Sequence, residues 1–299
     1  MIPSKPLLRS PLRALDDEEG TAIPDNLPTV IDAHVHFFPE PLWRAVRGWF
    51  DAHAWPVRYR LANDEIVDFL LRRGVQHIIG LHYAHKPGIA VALNDTMAEL
   101  CAKYRQVTGM ATVFPGEPND EEILVQGFEM GLGGVKLHLH VQGVDVLDEG
   151  MHTVYRTCCD HDRPLVVHAS REPKSEAYPR DVYQLCSAEK VGRVLGQYPS
   201  LKLCVPHLGV DEYDAYQRLL ERFDNLWLDT TMVVAGYFPL PIGWKLIEEH
   251  PDRVMYGTDF PNIPYAWDRE LKVLCEHGLP KEHLARILGE NARELFSIP

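Results

Sequence analysis

Five fragments of this 299-residue chain carry side chains that could do chemistry together. They are D-A-H-V-H at 32–36, G-V-K-L-H at 134–138, L-V-V-H at 165–168, V-P-H-L-G at 205–209 and G-T-D-F-P at 257–261. They deliver His34, His36, Lys136, His168, His207 and Asp259, each at or near the end of a short apolar run. Imidazoles and a carboxylate gathered in this way are ligands for one divalent cation, and a cation so held activates bound water. His34 and His36 stand two apart, so on a strand they share a face and can chelate the same ion. A lone H-x-H carries little weight. Here Asp32 precedes in the same run, and three later runs end in His168, His207 and Asp259. A carboxylate beside the cation, as Asp259 would be, can ligate it and also accept a proton from bound water.

Strands must position these residues. Apolar runs at 29–36, 75–82, 107–113, 134–139, 164–168, 201–207, 225–229 and 253–259 predict eight of them. Helical patterns at 63–73, 89–105, 119–130, 148–162, 187–197, 211–223, 241–249 and 280–296 fill the gaps. The first has Asn63 as its cap and stops before Gly74. Strands alternating with helices eight times predict an α/β fold, a (β/α)8 TIM barrel, whose strand ends meet at one mouth. A doubly wound sheet is the alternative, but no Gly-rich phosphate turn follows the first strand. Residues 1–28 read as an N-terminal arm and 29–299 as a single barrel domain. An aromatic-rich insertion at 37–61 follows the first strand at the catalytic end. It reads as a lid or wall over a substrate, a packed insertion with its own small core, or a dimer interface.

Composition limits the partners. The formal net charge is -13, from 43 acidic and 30 basic residues, and no Lys/Arg cluster offers a basic face to nucleic acid or to an anionic membrane surface. No apolar stretch approaches the roughly 20 residues needed to span a bilayer. The N-terminal M-I-P-S-K-P lacks the apolar core of a signal peptide. Six cysteines without a C-x-x-C pair point to reduced thiols in a cytoplasmic protein. A small-molecule substrate is the expected partner.

The fragments as a set, with the terminal N-A-R-E-L-F, resemble the amidohydrolase superfamily, and more closely its amidohydrolase-2 branch, which includes aminocarboxymuconate semialdehyde decarboxylase-like enzymes. The matching pieces run from residue 29 to 296. The resemblance implies a metal-bearing (β/α)8 barrel with His34, His36, His168 and Asp259 as ligands. It implies His207 as the catalytic acid/base or substrate polariser. Some members of the superfamily carry a carboxylated lysine on strand 4 that bridges two metals. One metal is more usual in this branch, and Lys136 reads as an interior charge near the site. Family members are often homodimers.

Further residues at the predicted mouth are candidates for substrate contact. Alternation puts Lys136, His138 and His140 on one side of strand 4. His82 and Tyr83 follow strand 2. Arg171 follows His168 and could clamp a carboxylate; Glu172 and Tyr178 lie on the same loop. Asp211 and Glu212 read as the acidic first turn of the next helix.

The expected activity is metal-dependent hydrolysis of a small ester, lactone or amide. The alternative is non-oxidative decarboxylation or hydration of an unsaturated or aromatic carboxylic acid on the same site. A metal-binding barrel without activity is disfavoured, because every expected ligand position is filled. Three imidazoles and a carboxylate suit zinc first, and also manganese, iron or cobalt.

Overall fold

The computed structural model describes residues 18–171, 173–237 and 240–298. Eight strands run in chain order: β1 Ile31–His36, β2 His77–Leu81, β3 Val107–Gly109, β4 Val135–His138, β5 Leu165–His168, β6 Leu203–Val205, β7 Leu226–Asp229 and β8 Val254–Met255. Every pairing is parallel, in one arc of β1-β2-β3 and another of β4-β5-β6-β7-β8. Parallel bridges Ala111↔Val135 and Val35↔Phe260 join the arcs at both seams, so the eight strands follow one another around a barrel.

The sequence alternates to suit two buried faces. Val135, Leu137, Leu165, Val167, Leu203, Val205, Leu226 and Leu228 point outward into the layer beneath the helices. Ile31, Ala33, Ile79, Leu81, Met110, Val166, Cys204 and Met255 fill the barrel interior with Ala292, Leu295, Phe296 and Ile298 of the C-terminal segment. One extra residue in β1 shifts its register against β2 between Asp32 and Val35. A bulge of this kind re-aims side chains. Below it Ile31 and Ala33 face the interior; above it Val35 faces the outer layer, leaving His34 and His36 for the mouth.

Four expectations change. The runs at 107–113 and 253–259 give strands of only three and two residues. Asp259 therefore lies beyond the end of β8, and His207 lies beyond β6 at the start of an irregular 3-10 segment, His207–Glu212. The insertion contains a helix, α1 (Glu40–His53), which the sequence reading missed, as it missed Arg269–His277. Asn63 does not cap its helix: its side chain accepts from Trp43 Nε1 at 2.8 Å, and Glu65 Oε2 accepts from Ala62 N at 2.8 Å at that helix start. Of the arm, residues 18–28 lie against the barrel, with Ile23 N bonded to Arg73 O and Glu19 paired with Arg58 and Arg73; residues 1–17 lie outside the described residues. No described helix is long and apolar enough to cross a membrane, and the six cysteines are free.

Candidate active site

His34 Nε2 lies 3.6 Å and His36 Nε2 2.9 Å from Asp259 Oδ1, and the three residues offer ligand atoms all within 4.8 Å of one another. His34 Nδ1–H donates to Asp229 Oδ2 at 2.8 Å, which leaves its Nε2 lone pair for the site. A carboxylate behind a ligating imidazole fixes its tautomer and orientation. Two imidazoles and a carboxylate with open positions fit a divalent cation. His36 Nδ1 is buried without a partner. Burial pulls His34 down to about 4, so its imidazole is neutral and able to ligate. Burial raises the carboxyls of Asp229 and Asp259, but the neighbouring imidazoles outweigh it, and both end below the usual carboxylate range.

His168 stands outside that compact set. Its Nδ1 is 3.1 Å from His207 Nε2, and its ring stacks on His138 at 4.3 Å. His207 Nδ1 lies 3.0 Å from Thr231 O; a carbonyl only accepts, so Nδ1 carries the proton and Nε2 the lone pair. Burial lowers both imidazoles.

Three residues lining this mouth have left-handed backbone without being glycine: His207 (φ 61°), Met232 (φ 62°) and Asp259 (φ 67°). Each costs about 1–3 kcal/mol and persists only where neighbours hold it. All three amides are pinned. His207 N donates to Asp229 Oδ1 and Asp259 N to His34 O, each at 2.9 Å, and Met232 N donates to buried Glu270 Oε1.

The mouth opens into a cavity of about 500 Å³. His34, His36, Lys136, His138, His168, His207 and Asp259 face it together, as does Tyr83. Lys136 is fully buried, yet its ammonium group makes no hydrogen bond or ion pair among the described residues, and burial lowers it to about 8. The insertion contributes one wall, residues 49–56, and the loop after β5 contributes another, residues 173–178. Trp49 stacks on Tyr178 across them at 5.2 Å.

Two expected substrate residues lie elsewhere. Arg171 is engaged by Asp211 at 2.9 Å and Glu212 at 3.2 Å and does not line the cavity, so it ties the β5 loop to the turn after His207 instead of clamping a ligand. Asp211 and Glu212 thus serve this ion pair, and the following helix starts only at Tyr213. His82 is 1% exposed and off the cavity, set beside Asn94 of the helix Ala90–Lys103. The sequence reading missed Asp229, Thr231, Asn262 and the Trp49–Tyr178 contact. Asp229 ends an apolar run as His168 does, and that signal was available.

A closed parallel barrel whose mouth gathers two imidazoles from one strand and a carboxylate after the last strand defines a metal-site (β/α)8 enzyme scaffold. The amidohydrolase family model matches residues 31–298, and the chain belongs to that family, in its amidohydrolase-2 branch. No curated protein matches the sequence.

Among solved structures, the chain is similar to 5-carboxyvanillate decarboxylase from Novosphingobium aromaticivorans, complexed with manganese and 4-hydroxy-3-methoxy-5-nitrobenzoic acid. The TM-score is 0.69 at 19% identity, over 93% of this chain and 99% of that one. It is also similar to dihydroxybenzoic acid decarboxylase from Polaromonas sp., with bound manganese and 2-nitroresorcinol (TM-score 0.66, 18% identity, 91% and 97% covered). An Acinetobacter baumannii protein assigned to 2-pyrone-4,6-dicarboxylic acid hydrolysis shares the fold as well (TM-score 0.62, 17% identity, 90% and 99% covered).

Proposed function

We propose that this enzyme is a metal-dependent, non-oxidative decarboxylase of an aromatic or unsaturated carboxylic acid. The observation that carries the reading is Lys136: a buried ammonium group that faces the cavity beside the metal set and has no ion-pair partner among the described residues. An unpaired buried cation is costly unless an anion joins it, and a substrate carboxylate or phenolate is such an anion. Two decarboxylases with this fold, each solved with manganese and a nitro-substituted aromatic ligand, support it further.

His34, His36 and Asp259 would hold the cation, with His168 beside His207 at the same mouth. The two-imidazole, one-carboxylate core suits manganese or iron as well as zinc. When bound, the cation would draw electron density from the substrate's oxygen substituents and so stabilise the charge left as the carboxyl group departs. The carbon that loses carbon dioxide keeps the bonding electrons and needs a proton. Asp259, ionised and open to the cavity, can take a proton from a substrate hydroxyl and return it to that carbon. His207 Nε2, fixed by Thr231, is the second group able to do so. Trp49, Tyr178 and the insertion wall the cavity.

A second reading, hydrolysis of a lactone or ester, rests on Asp259 as base toward bound water, and the Acinetobacter neighbour shares that fold. The product discriminates. Aromatic and unsaturated acids incubated with the manganese-loaded enzyme should release carbon dioxide without consuming water. A cleaved lactone or ester, with no carbon dioxide from any acid, would overturn the proposal.

A further inference from the structure

We propose that the hydroxyl groups of Tyr83 and Tyr178 form a two-point hydrogen-bonding clamp for an anionic oxygen of the substrate, above the His34, His36 and Asp259 set. In taking the ligand to be an aromatic carboxylate, this rests on the function proposed above.

The two phenols come from opposite sides of the cavity. Tyr83 lies two residues beyond β2, and Tyr178 lies on the loop after β5. A buried tyrosine hydroxyl usually finds a partner. Tyr155 OH donates to Val146 O at 2.6 Å, and Tyr59 OH donates to Glu19. Tyr213, Tyr216 and Tyr256 lack a partner, but their hydroxyls are sealed in the packing. The hydroxyls of Tyr83 and Tyr178 differ from both groups: neither has a hydrogen-bond partner among the described residues, and both open on the cavity.

Their rings are held before any ligand arrives. Tyr83 stands edge-on to His36 at 5.8 Å, His138 at 4.9 Å and Phe38 at 5.0 Å. Tyr178 is stacked with Trp49 at 5.2 Å and edge-on to His140 at 5.2 Å. Fixing a donor in advance lowers the entropy cost of binding. Protonated phenols donate, and an anion placed between them gains two hydrogen bonds in the cavity that Lys136 also lines. Trp49 is then a positioning residue that holds Tyr178 over the cavity.

The test is calorimetric titration of the manganese-loaded enzyme with benzoate and with aniline, which keeps the ring but has no acceptor oxygen. Tyr83→Phe and Tyr178→Phe should each weaken benzoate about ten-fold, the usual value of one hydrogen bond to a charged group. The double variant should lose about 100-fold, and aniline binding should not change. Trp49→Ala should mimic Tyr178→Phe, with no added loss when the two are combined, and Trp49→Phe should restore binding. Benzoate bound by the double variant as tightly as by the wild type would overturn the clamp. So would equal loss of both probes, or a wild type with no preference for benzoate. Carbon dioxide release is measured separately. Tyrosine-dependent benzoate binding without decarboxylation would sink the proposed function and leave the clamp; decarboxylation indifferent to both tyrosines would do the reverse.

Discussion

His34 Nδ1–H donates to Asp229 Oδ2 at 2.8 Å, while the other oxygen of that carboxylate accepts from His207 N at 2.9 Å. One buried group thus aims a metal-ligand candidate and pins the strained backbone of the residue proposed as acid/base. Asp229→Asn is expected to keep the fold and lower metal affinity about 10- to 100-fold, the usual cost of losing such a partner. Competition against a chelating dye measures it. Wild-type affinity in that variant would show that Asp229 does not orient His34.

Gly257, just past β8, has no room for a methyl group. A Cβ there would stand 2.6 Å from Thr231 Oγ1 and 2.8 Å from His34 Cβ. Gly257→Ala should therefore displace His34, reduce metal content and cost about 1–3 kcal/mol of stability, as overpacking does. Metal analysis and denaturant unfolding read the two effects. A variant with full metal content would mean that His34 tolerates the shift.

Burial lowers eight imidazoles: His34, His77, His82, His85, His138, His140, His168 and His207. The folded chain refuses protons until about 4 at His77 and His140 and about 3 at His82, whereas the unfolded chain binds them near 6.5. The unfolded state binds more protons over that window, so stability rises with pH and falls on acidification from about 6.5 toward 4. Asp32, raised to about 7 by burial, and Glu212 and Glu270, also raised by burial, work in the opposite direction, but they are three against eight. Denaturant midpoints of chelator-treated protein should drop between about pH 7 and about pH 5. An equal or higher midpoint at the lower pH would contradict this assignment.

Arg171 ties the β5 loop to the turn after His207 through Asp211 and Glu212. Arg171→Ala should cost about 1 kcal/mol and leave metal content unchanged. A residue that clamped the substrate would instead show its main effect in KM, with stability untouched. Unfolding curves and KM measured on the same preparation separate the two roles.

The barrel was legible because its strands are buried on both faces and end in ligand-type residues, as β5 does at His168 and β4 at His138. The β1 bulge was not: one extra residue in D-A-H-V leaves no mark in composition or spacing, although it decides which face His34 takes. Asp259 and His207 were found by type but misplaced, since their left-handed turns depend on distant partners in β1 and β7. Arg171 was misread for a related reason. A guanidinium near the mouth looks the same in sequence whether it meets a ligand or, as here, two acidic residues about 40 positions away. Helix α1 was hidden by its aromatic residues, which read as irregular wall; its amphipathic packing shows only once Trp43 and Arg47 are seen buried.

Metal content per chain tests the central claim most directly. Protein purified without added metal, then offered manganese or zinc and digested for mass spectrometry, should carry about one divalent ion. The His34→Ala/His36→Ala variant should carry none. No metal uptake by the wild type, or uptake unchanged in that variant, would contradict the site. Two ions per chain would contradict the single-ion reading and direct attention to Lys136 as a carboxylated bridge.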